Sequence, residues 1–308
     1  MQSTDIYGHI AKNNRKIMGL VLLFPITLIS FSYFFLAFFV LAQEGTWQEV
    51  NNFSLSVVPF IIGIALLLTL VSFGFGDKMM LGFAGAKICP DDKEHLQTYR
   101  IVENLALKAG IPTPKVYLIQ DSSLNAFATG YSPKSASIAL TTGIIEKLSP
   151  IELEAVVYHE IAHVINRDIR LNMFIITGIG IIATMGEILI RSAGRSRGSS
   201  KKGNGAALLL LIGLSLLIFR YLIAPFIHMA LSRSQEFQAD ATGAYLTRHP
   251  TALAKALEKI AVDPRVEALD SSSQMACACI CNPLEKIGGL LDTHPPIKER
   301  IKRLNNMV

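Results

Sequence analysis

The chain has 308 residues, of which 51% are hydrophobic and 17% charged, and its formal net charge is +5. A mean hydropathy of +0.40 is too high for an ordinary soluble protein, and the charged residues exclude a chain made only of membrane helices. Because no basic stripe is interleaved with aromatic residues, the positive charge predicts basic segments beside a membrane and argues against nucleic acid as a partner.

The first predicted elements are two uncharged stretches, residues 17–43 and 51–76, each longer than the roughly 20 residues that cross a bilayer. A cleavable signal peptide is the alternative for the first, but its apolar run is too long and lacks a small-residue cleavage site. Basic residues precede the first stretch and acidic residues follow it, which places the amino terminus and everything after residue 76 in the cytoplasm. These charged residues are Lys12, Arg15, Lys16, Glu44 and Glu49.

A segment with the patterns of a water-soluble fold comes next. A helix is predicted for residues 91–108, because Gly110 and two prolines follow it. Three strand-like runs, residues 115–119, 126–129 and 136–140, are separated by turn residues and predict a small antiparallel sheet. A peptide laid along an edge of that sheet would gain main-chain hydrogen bonds whatever its side chains, so the edge is a candidate substrate site.

The strongest motif is His159-Glu160-Ile-Ala-His163, on a helix whose start is marked by a capping box, Ser149-Pro-Ile-Glu152. Imidazoles four residues apart share a helix face and can bind one zinc ion, with Glu160 beside the remaining coordination position. Core histidines satisfied by neighbouring carbonyls are the alternative. The helix is apolar nearly all round, and burying such groups without partners would cost on the order of several kcal/mol, which favours a bound cation.

Two further apolar stretches, residues 171–190 and 206–231, leave the membrane topology open because they contain charged or titratable residues. The connector 191–205 holds five basic residues, which a full crossing would place outside, against the positive-inside tendency. Either the pair crosses the bilayer as a hairpin, or it is partly embedded in the inner leaflet with its basic tip on anionic headgroups. Both alternatives return the chain to the same side.

A third zinc ligand is expected beyond these stretches, since such a site needs three protein ligands and one open position. Glu236 and Asp240 lie four residues apart on a predicted helix and therefore share a face. Glu236 is the candidate ligand, and Asp240 is a candidate to accept the free ring N–H of a zinc histidine. An exposed charged helix is the alternative interpretation.

Three cysteines alternate along the chain near its carboxyl end, at Cys277, Cys279 and Cys281, and Cys89 stands apart. In a cytoplasmic domain they are expected to be reduced thiols. A second metal site is the alternative, but ligands two residues apart lack the usual spacing of structural zinc motifs.

The remaining motifs complete a pattern that covers nearly the whole chain. They are the paired amino-terminal spans, Asn125-Ala-Phe-Ala-Thr-Gly130, the His159-to-His163 helix, Arg233-Ser-Gln-Glu-Phe-Gln-Ala-Asp240, Thr293-His-Pro-Pro296 and Glu299-Arg-Ile301. Together they make the chain resemble the HtpX family of bacterial membrane-bound zinc metalloproteases, relatives of the CAAX prenyl protease.

The resemblance implies one zinc ion per chain at His159, His163 and Glu236, with Glu160 as general base. It further implies functions for residues that the pattern alone predicts as a turn residue or a solvated charge. Substrate main chain would be held by Asn125, Ala126 and Phe127, while His294 and Arg300 would bind substrate or stabilise the transition state.

The predicted fold is α+β and mostly helical, a membrane-anchored zincin-like catalytic domain with a small antiparallel sheet and the His-Glu-x-x-His helix. Its predicted parts are a membrane hairpin (1–76), the first half of the catalytic domain (77–168), a second hydrophobic hairpin (169–231) and the second half of the catalytic domain (232–308).

The predicted function is a zinc metalloendopeptidase of the bacterial inner membrane that cleaves unfolded or damaged membrane proteins on the cytoplasmic side, in protein quality control and the stress response. The sequence has no ATP-binding phosphate loop, so substrates must arrive already loose. The alternatives are a zinc-dependent scaffold that binds membrane proteins without cutting, a prenyl-protein protease, and an intramembrane protease, which the charges flanking the motif oppose.

Overall fold

The computed structural model describes residues 44–90, 92–196, 205–262 and 295–307 apart from residues 94 and 223, together with Ile280 and individual residues between 11 and 41. Helices α1 to α9 span Trp47–Phe83, Leu96–Ala109, Thr142–Lys147, Pro150–Asn166, Asp168–Ser196, Gly205–Leu222, Ala224–Thr247, Pro250–Val262 and Ile297–Asn305. Strands β1 to β4 span Lys87–Ile88, Lys115–Ile119, Ala126–Thr129 and Ser137–Thr141. The prediction of a mostly helical chain with a small sheet is confirmed.

The chain divides into two compact units. The first contains Phe75–Thr177 and Ile227–Val308, and the second contains Asn14–Gly74 and Gly178–Phe226. The sheet and the His-Glu-x-x-His helix both belong to the first unit.

The sheet is mixed, so the prediction of an antiparallel sheet is wrong in one pairing. Its strand order is β1-β2-β4-β3, in which β2 and β4 are parallel and the other two pairs are antiparallel. Strands β2 and β4 run in the same direction because the chain reverses through β3, which lies on the far side of β4. Strand β3 is therefore a terminal strand of the described sheet.

Helix α4 is the central helix of the first unit and packs against β3, α2 and α8. Its residues Val156, Val157 and Ile161 are buried in a core that also contains Ile138 and Leu257. Burying aliphatic side chains of this size contributes roughly 1.5–3 kcal/mol each, so the apolar pattern of this helix accounts for its position. The packing fixes the His-Glu-x-x-His motif in the interior of the unit.

The start of α4 is fixed by the predicted capping box. The Ser149 hydroxyl accepts the Glu152 N–H at 3.4 Å, and Glu152 Oε2 accepts the Ser149 N–H at 2.8 Å. Lys259 on α8 donates to the same Glu152 oxygen at 2.6 Å. The first turn of the motif helix is thereby tied to α8 as well as to its own backbone.

The second unit includes long apolar helical segments. Within the described residues, Asp168–Arg195, with a hydropathy of 2.1, is the one helix both long and apolar enough to cross a membrane. It contains the predicted stretch 171–190, whereas the stretch 206–231 is divided between α6 and α7. A Cβ added at Gly213 would lie 2.9 Å from the Gly186 carbonyl oxygen, so α5 and α6 approach closely through small residues, as membrane helices do.

Helix α1 contains the predicted stretch 51–76 and extends beyond it at both ends. Its side chains Leu55, Leu67 and Leu70 are exposed in the structure, an arrangement that suits contact with lipid. The number of membrane crossings and the cytoplasmic orientation stay predictions.

The capping box and its ion pair predict a pH-dependent stability. Burial alone would raise the pKa of Glu152, but Lys259 and Ser149 outweigh it and hold that pKa below its ordinary value. A depressed pKa means that the carboxylate stabilises the fold above the ordinary glutamate pKa, and that this contribution is lost as the pH falls toward the folded-state value. Glu152→Ala should therefore lower the free energy of unfolding by about 1–2 kcal/mol at pH 7 and by less at pH 4.

Thermal unfolding in detergent solution at the two pH values measures this effect. Glu152→Gln keeps an oxygen that can accept the Ser149 N–H, so its loss should be smaller and should come from the ion pair alone. Glu154→Gln removes a carboxylate from the same helix outside the cap and is the matched control. Equal losses at pH 7 and pH 4 would contradict the linkage.

Candidate metal centre

The two motif histidines lie on one face of α4, and the Nε2 atoms of their rings face each other. His159 is fully buried and His163 is 7% exposed. Their Nε2 atoms are 3.2 Å apart, and their rings meet edge to face. The spacing of four residues therefore brings two imidazole donors to one point, as the sequence predicts.

Helix α7 brings Glu236 to the same point. Glu236 Oε2 lies 3.6 Å from His159 Nε2, and its Oε1 lies 3.5 Å from His163 Nε2. The three side chains each offer one ligand atom, and these atoms lie within 4.8 Å of one another. The group His159, His163 and Glu236 could thus hold a metal ion.

The separations of these atoms suit zinc. Tetrahedral zinc with bonds of about 2.0–2.1 Å places its ligand atoms roughly 3.3–3.4 Å apart. The observed separations of 3.2, 3.5 and 3.6 Å lie near that value, the last two being measured to the two different oxygens of Glu236. Two imidazoles and one carboxylate are also a donor set that zinc proteins use, so the residues present fit the metal that the family resemblance implies.

Asp240 lies one helical turn beyond Glu236 and faces the far side of the His159 ring. Its Oδ1 is 3.0 Å from His159 Nδ1, an ion-pair contact that is not directed well enough to count as a hydrogen bond. Both side chains are buried, so neither water nor an exposed residue competes for the Asp240 carboxylate. The structure places Asp240 against His159, and the prediction that it accepts a ring N–H of a zinc histidine stays a prediction.

Arg300, on α9, is 1% exposed, and its guanidinium contacts the carboxylates of Asp240 and Glu236. Its guanidinium donates two hydrogen bonds to Asp240, at 2.8 Å from Nε and 2.7 Å from a terminal nitrogen. A terminal nitrogen also lies 3.1 Å from Glu236 Oε2, and another lies 3.4 Å from His159 Nε2. The structure therefore places Arg300 against the candidate ligands, where its bidentate pair with Asp240 orients them.

Burial and charge set the protonation of the metal-free site. Burial lowers the pKa of His159, but its contacts with Asp240 and Glu236 outweigh this effect and raise that pKa to about 9. Burial likewise opposes protonation of His163, yet the nearby carboxylates Asp168 and Glu236 raise its pKa overall. The neighbouring carboxylates thus favour the protonated rings, and a metal ion would compete with protons for the same nitrogens.

Glu160 faces strand β3. It is 2% exposed, and the nearby Ala128 backbone N–H favours the charged form of its carboxylate. Burial is the main influence on its pKa, which is raised. A carboxyl group with a raised pKa is better suited to take up and release a proton near neutral pH.

The predicted substrate-binding residues begin the same strand. The Asn125 side chain accepts the Ala126 N–H at 2.9 Å, and the Ala126 carbonyl accepts the Ile280 N–H at 3.0 Å. The Phe127 side chain is buried in a second core cluster with Met80. The side chains of Asn125, Ala126 and Phe127 are all buried, so their predicted contact with substrate main chain stays a prediction.

Two contacts near the site were not predicted from the sequence. Asp168 accepts a hydrogen bond from His163 Nδ1 at 3.0 Å, although the sequence presents it only as a charge after the motif. Helix α7 passes close to α4 at Gly243, where an added Cβ would make ordinary contact, at 3.4 Å, with the His159 backbone nitrogen. An acid at a helix boundary five residues after the second histidine was the available signal for Asp168.

Other predicted residues lie outside the part of the chain that the structure describes. They are His294, Cys277, Cys279 and Cys281. Cys89 is described and is a free, partly buried thiol.

Comparison with known proteins finds relatives that match the whole chain or nearly all of it. Residues 92–308 match the model of peptidase family M48. A protease HtpX homolog of Thermoanaerobacter pseudethanolicus is 38% identical, over 100% of this chain and 99% of the relative. A protease HtpX homolog of Bacteroides fragilis is 34% identical, over 98% of each chain.

Among solved structures, the crystal structure of S. mikatae Ste24p is similar with a TM-score of 0.45 and 19% identity, over 98% of this chain and 67% of that one. The family match and the relatives confirm the resemblance that the motifs indicate. The chain belongs to peptidase family M48 and, within it, to the membrane metalloproteases of the HtpX type.

Proposed function

We propose that this protein is a zinc endopeptidase that holds one zinc ion at His159, His163 and Glu236 and uses Glu160 as its general base. One observation carries the proposal: three buried donor atoms from two helices lie within 4.8 Å of one another, beside a buried glutamate of the same motif. The separations suit zinc, and the family consists of peptidases.

Each side chain has a distinct task in this proposal. Zinc bound at the three donors would act as a Lewis acid toward the peptide carbonyl and would make water more acidic. Glu160 accepts the proton of the attacking water and then delivers it to the departing amine. Asp240 holds the ring of His159, and Arg300 holds Asp240.

Substrate is proposed to lie along β3. This strand ends the described sheet, and its Ala128 N–H meets Glu160, so a peptide beside it would run past the general base. Main-chain pairing along an edge strand is independent of side chains, which suits an enzyme that cuts many sequences. His294 is proposed to stabilise the oxyanion of the transition state. Arg300 is proposed to contribute to this stabilisation from within the site.

The proposed substrates are unfolded or damaged membrane proteins, cut on the cytoplasmic face in quality control and stress. The distribution of basic residues around the first apolar stretch supports this orientation. The sequence has no phosphate loop of the ATP-binding type, so the enzyme would depend on segments that are already unfolded.

Glu160→Gln should keep zinc and lose peptide hydrolysis by roughly 100- to 10,000-fold, because the amide cannot accept the proton of water. Zinc content is measured by elemental analysis and cleavage with an unfolded fluorescent polypeptide, with Glu154→Gln as the matched control. Near-normal cleavage by Glu160→Gln would remove Glu160 from the mechanism. If wild-type protein binds membrane proteins but cleaves none of them, the scaffold alternative is correct.

Glu236→Ala should raise the zinc dissociation constant by about 100-fold or more, because the site loses its only anionic ligand. Competition with a chromophoric chelator measures the constant directly. Glu258→Ala on the exposed face of α8 removes a glutamate remote from the site and should bind zinc normally. Unchanged affinity in Glu236→Ala would remove this residue from the ligand set.

A membrane-anchored fusion protein tests the substrate class. Two fusions carry the same small cytoplasmic domain, one of them with a single core substitution that destabilises it by about 3 kcal/mol and so raises its unfolded population roughly 100-fold. The reconstituted enzyme should cleave the destabilised fusion at least about 10-fold faster, and Glu160→Gln enzyme should cleave neither. Equal rates for the two fusions would contradict a requirement for unfolded segments.

A further inference from the structure

The second motif histidine has a carboxylate partner of its own. His163 Nδ1 and Asp168 Oδ2 are 3.0 Å apart in a hydrogen bond between two buried side chains. Asp240 lies 3.0 Å from the corresponding Nδ1 atom of His159, as an ion-pair contact and not a hydrogen bond. The two rings are thus held by two different acids, from α5 and from α7.

A continuous helix could not make this contact. Five residues along an α-helix correspond to a rotation of about 500°, so residue 168 would point about 140° away from His163 if α4 continued. Instead α4 ends at Asn166, and Arg167 adopts a left-handed conformation with φ of 60°. The Arg167 N–H donates to the carbonyls of His163 and Val164. The turn brings the Asp168 carboxylate to the His163 ring.

The chemical consequence concerns the other nitrogen of the ring. With its Nδ1 proton donated to Asp168, neutral His163 has its lone pair on Nε2, the atom that faces Glu236 and His159. We infer that Asp168 is a positioning residue that fixes the tautomer and orientation of His163 for metal binding. This inference rests on the proposed zinc site.

A purely structural role for Asp168 would be to start α5, since an acid in the first turn favours a helix. That role needs no contact with an imidazole and is usually filled by exposed residues. Asp168 is 1% exposed, and a carboxylate at that depth requires a hydrogen-bond partner, which His163 supplies. The two roles differ in whether zinc affinity changes when the acid is removed.

Asp168→Ala tests the inference on the full-length protein. Its zinc dissociation constant, measured by chelator competition, should rise 10- to 100-fold. Asp168→Asn keeps an oxygen that can accept the Nδ1 proton and should recover most of the affinity. Cobalt bound in place of zinc should show a shifted visible absorption spectrum in Asp168→Ala, because the ring is no longer held.

A matched pair at the turn tests the same contact without touching either partner. Arg167→Gly suits a left-handed backbone and should bind zinc like wild type. Arg167→Val removes the same side chain but disfavours that conformation, so its affinity should fall toward that of Asp168→Ala.

Normal zinc affinity and an unchanged cobalt spectrum in Asp168→Ala would overturn the inference. If Glu236→Ala loses zinc in the same experiment, the proposed zinc site stands without it. Wild-type protein that binds no zinc would overturn both.

Discussion

The constraint on which this structure depends is that donor atoms from two helices must meet at one point. Helix α4 supplies His159 and His163, and α7 supplies Glu236 from a position more than 70 residues later in the chain. Their ligand atoms converge because α4 lies in the core of its unit and α7 passes close to its backbone near Gly243. The elements that pack against α4, namely β3, α2 and α8, hold it in this position.

Electrostatics explains why the meeting point favours a cation. Glu236, Asp240 and Asp168 are buried acids, and within the described part of the chain Arg300 is the one buried side chain with a permanent positive charge among them. The same acids raise the pKa values of His159 and His163, so they favour positive charge on the rings as well. A divalent ion would balance the acids more completely, since buried charges are stable only when paired.

Local features of the fold could be predicted from the sequence, and features that depend on distant parts of the chain could not. The start of α4 followed from Ser149 and Glu152, because a capping box is formed within four residues. The parallel pairing of β2 with β4 was missed, because strand direction depends on where β3 joins the sheet. Arg300 and Asp168 have no local signature as buried residues, and only tertiary packing distinguishes them from solvated charges.

The one-residue joint at Arg167 limits how this protein can be shortened. Helix α5 begins with a residue that contacts a candidate ligand and continues directly into its apolar length, so no linker separates the candidate metal centre from the apolar helix. A truncation made to obtain a water-soluble form would have to retain the first turn of α5 and reconnect it to α7. A cut at the end of α4 would remove Asp168 together with the hydrophobic segment, and the His163 ring would lose this hydrogen-bond partner.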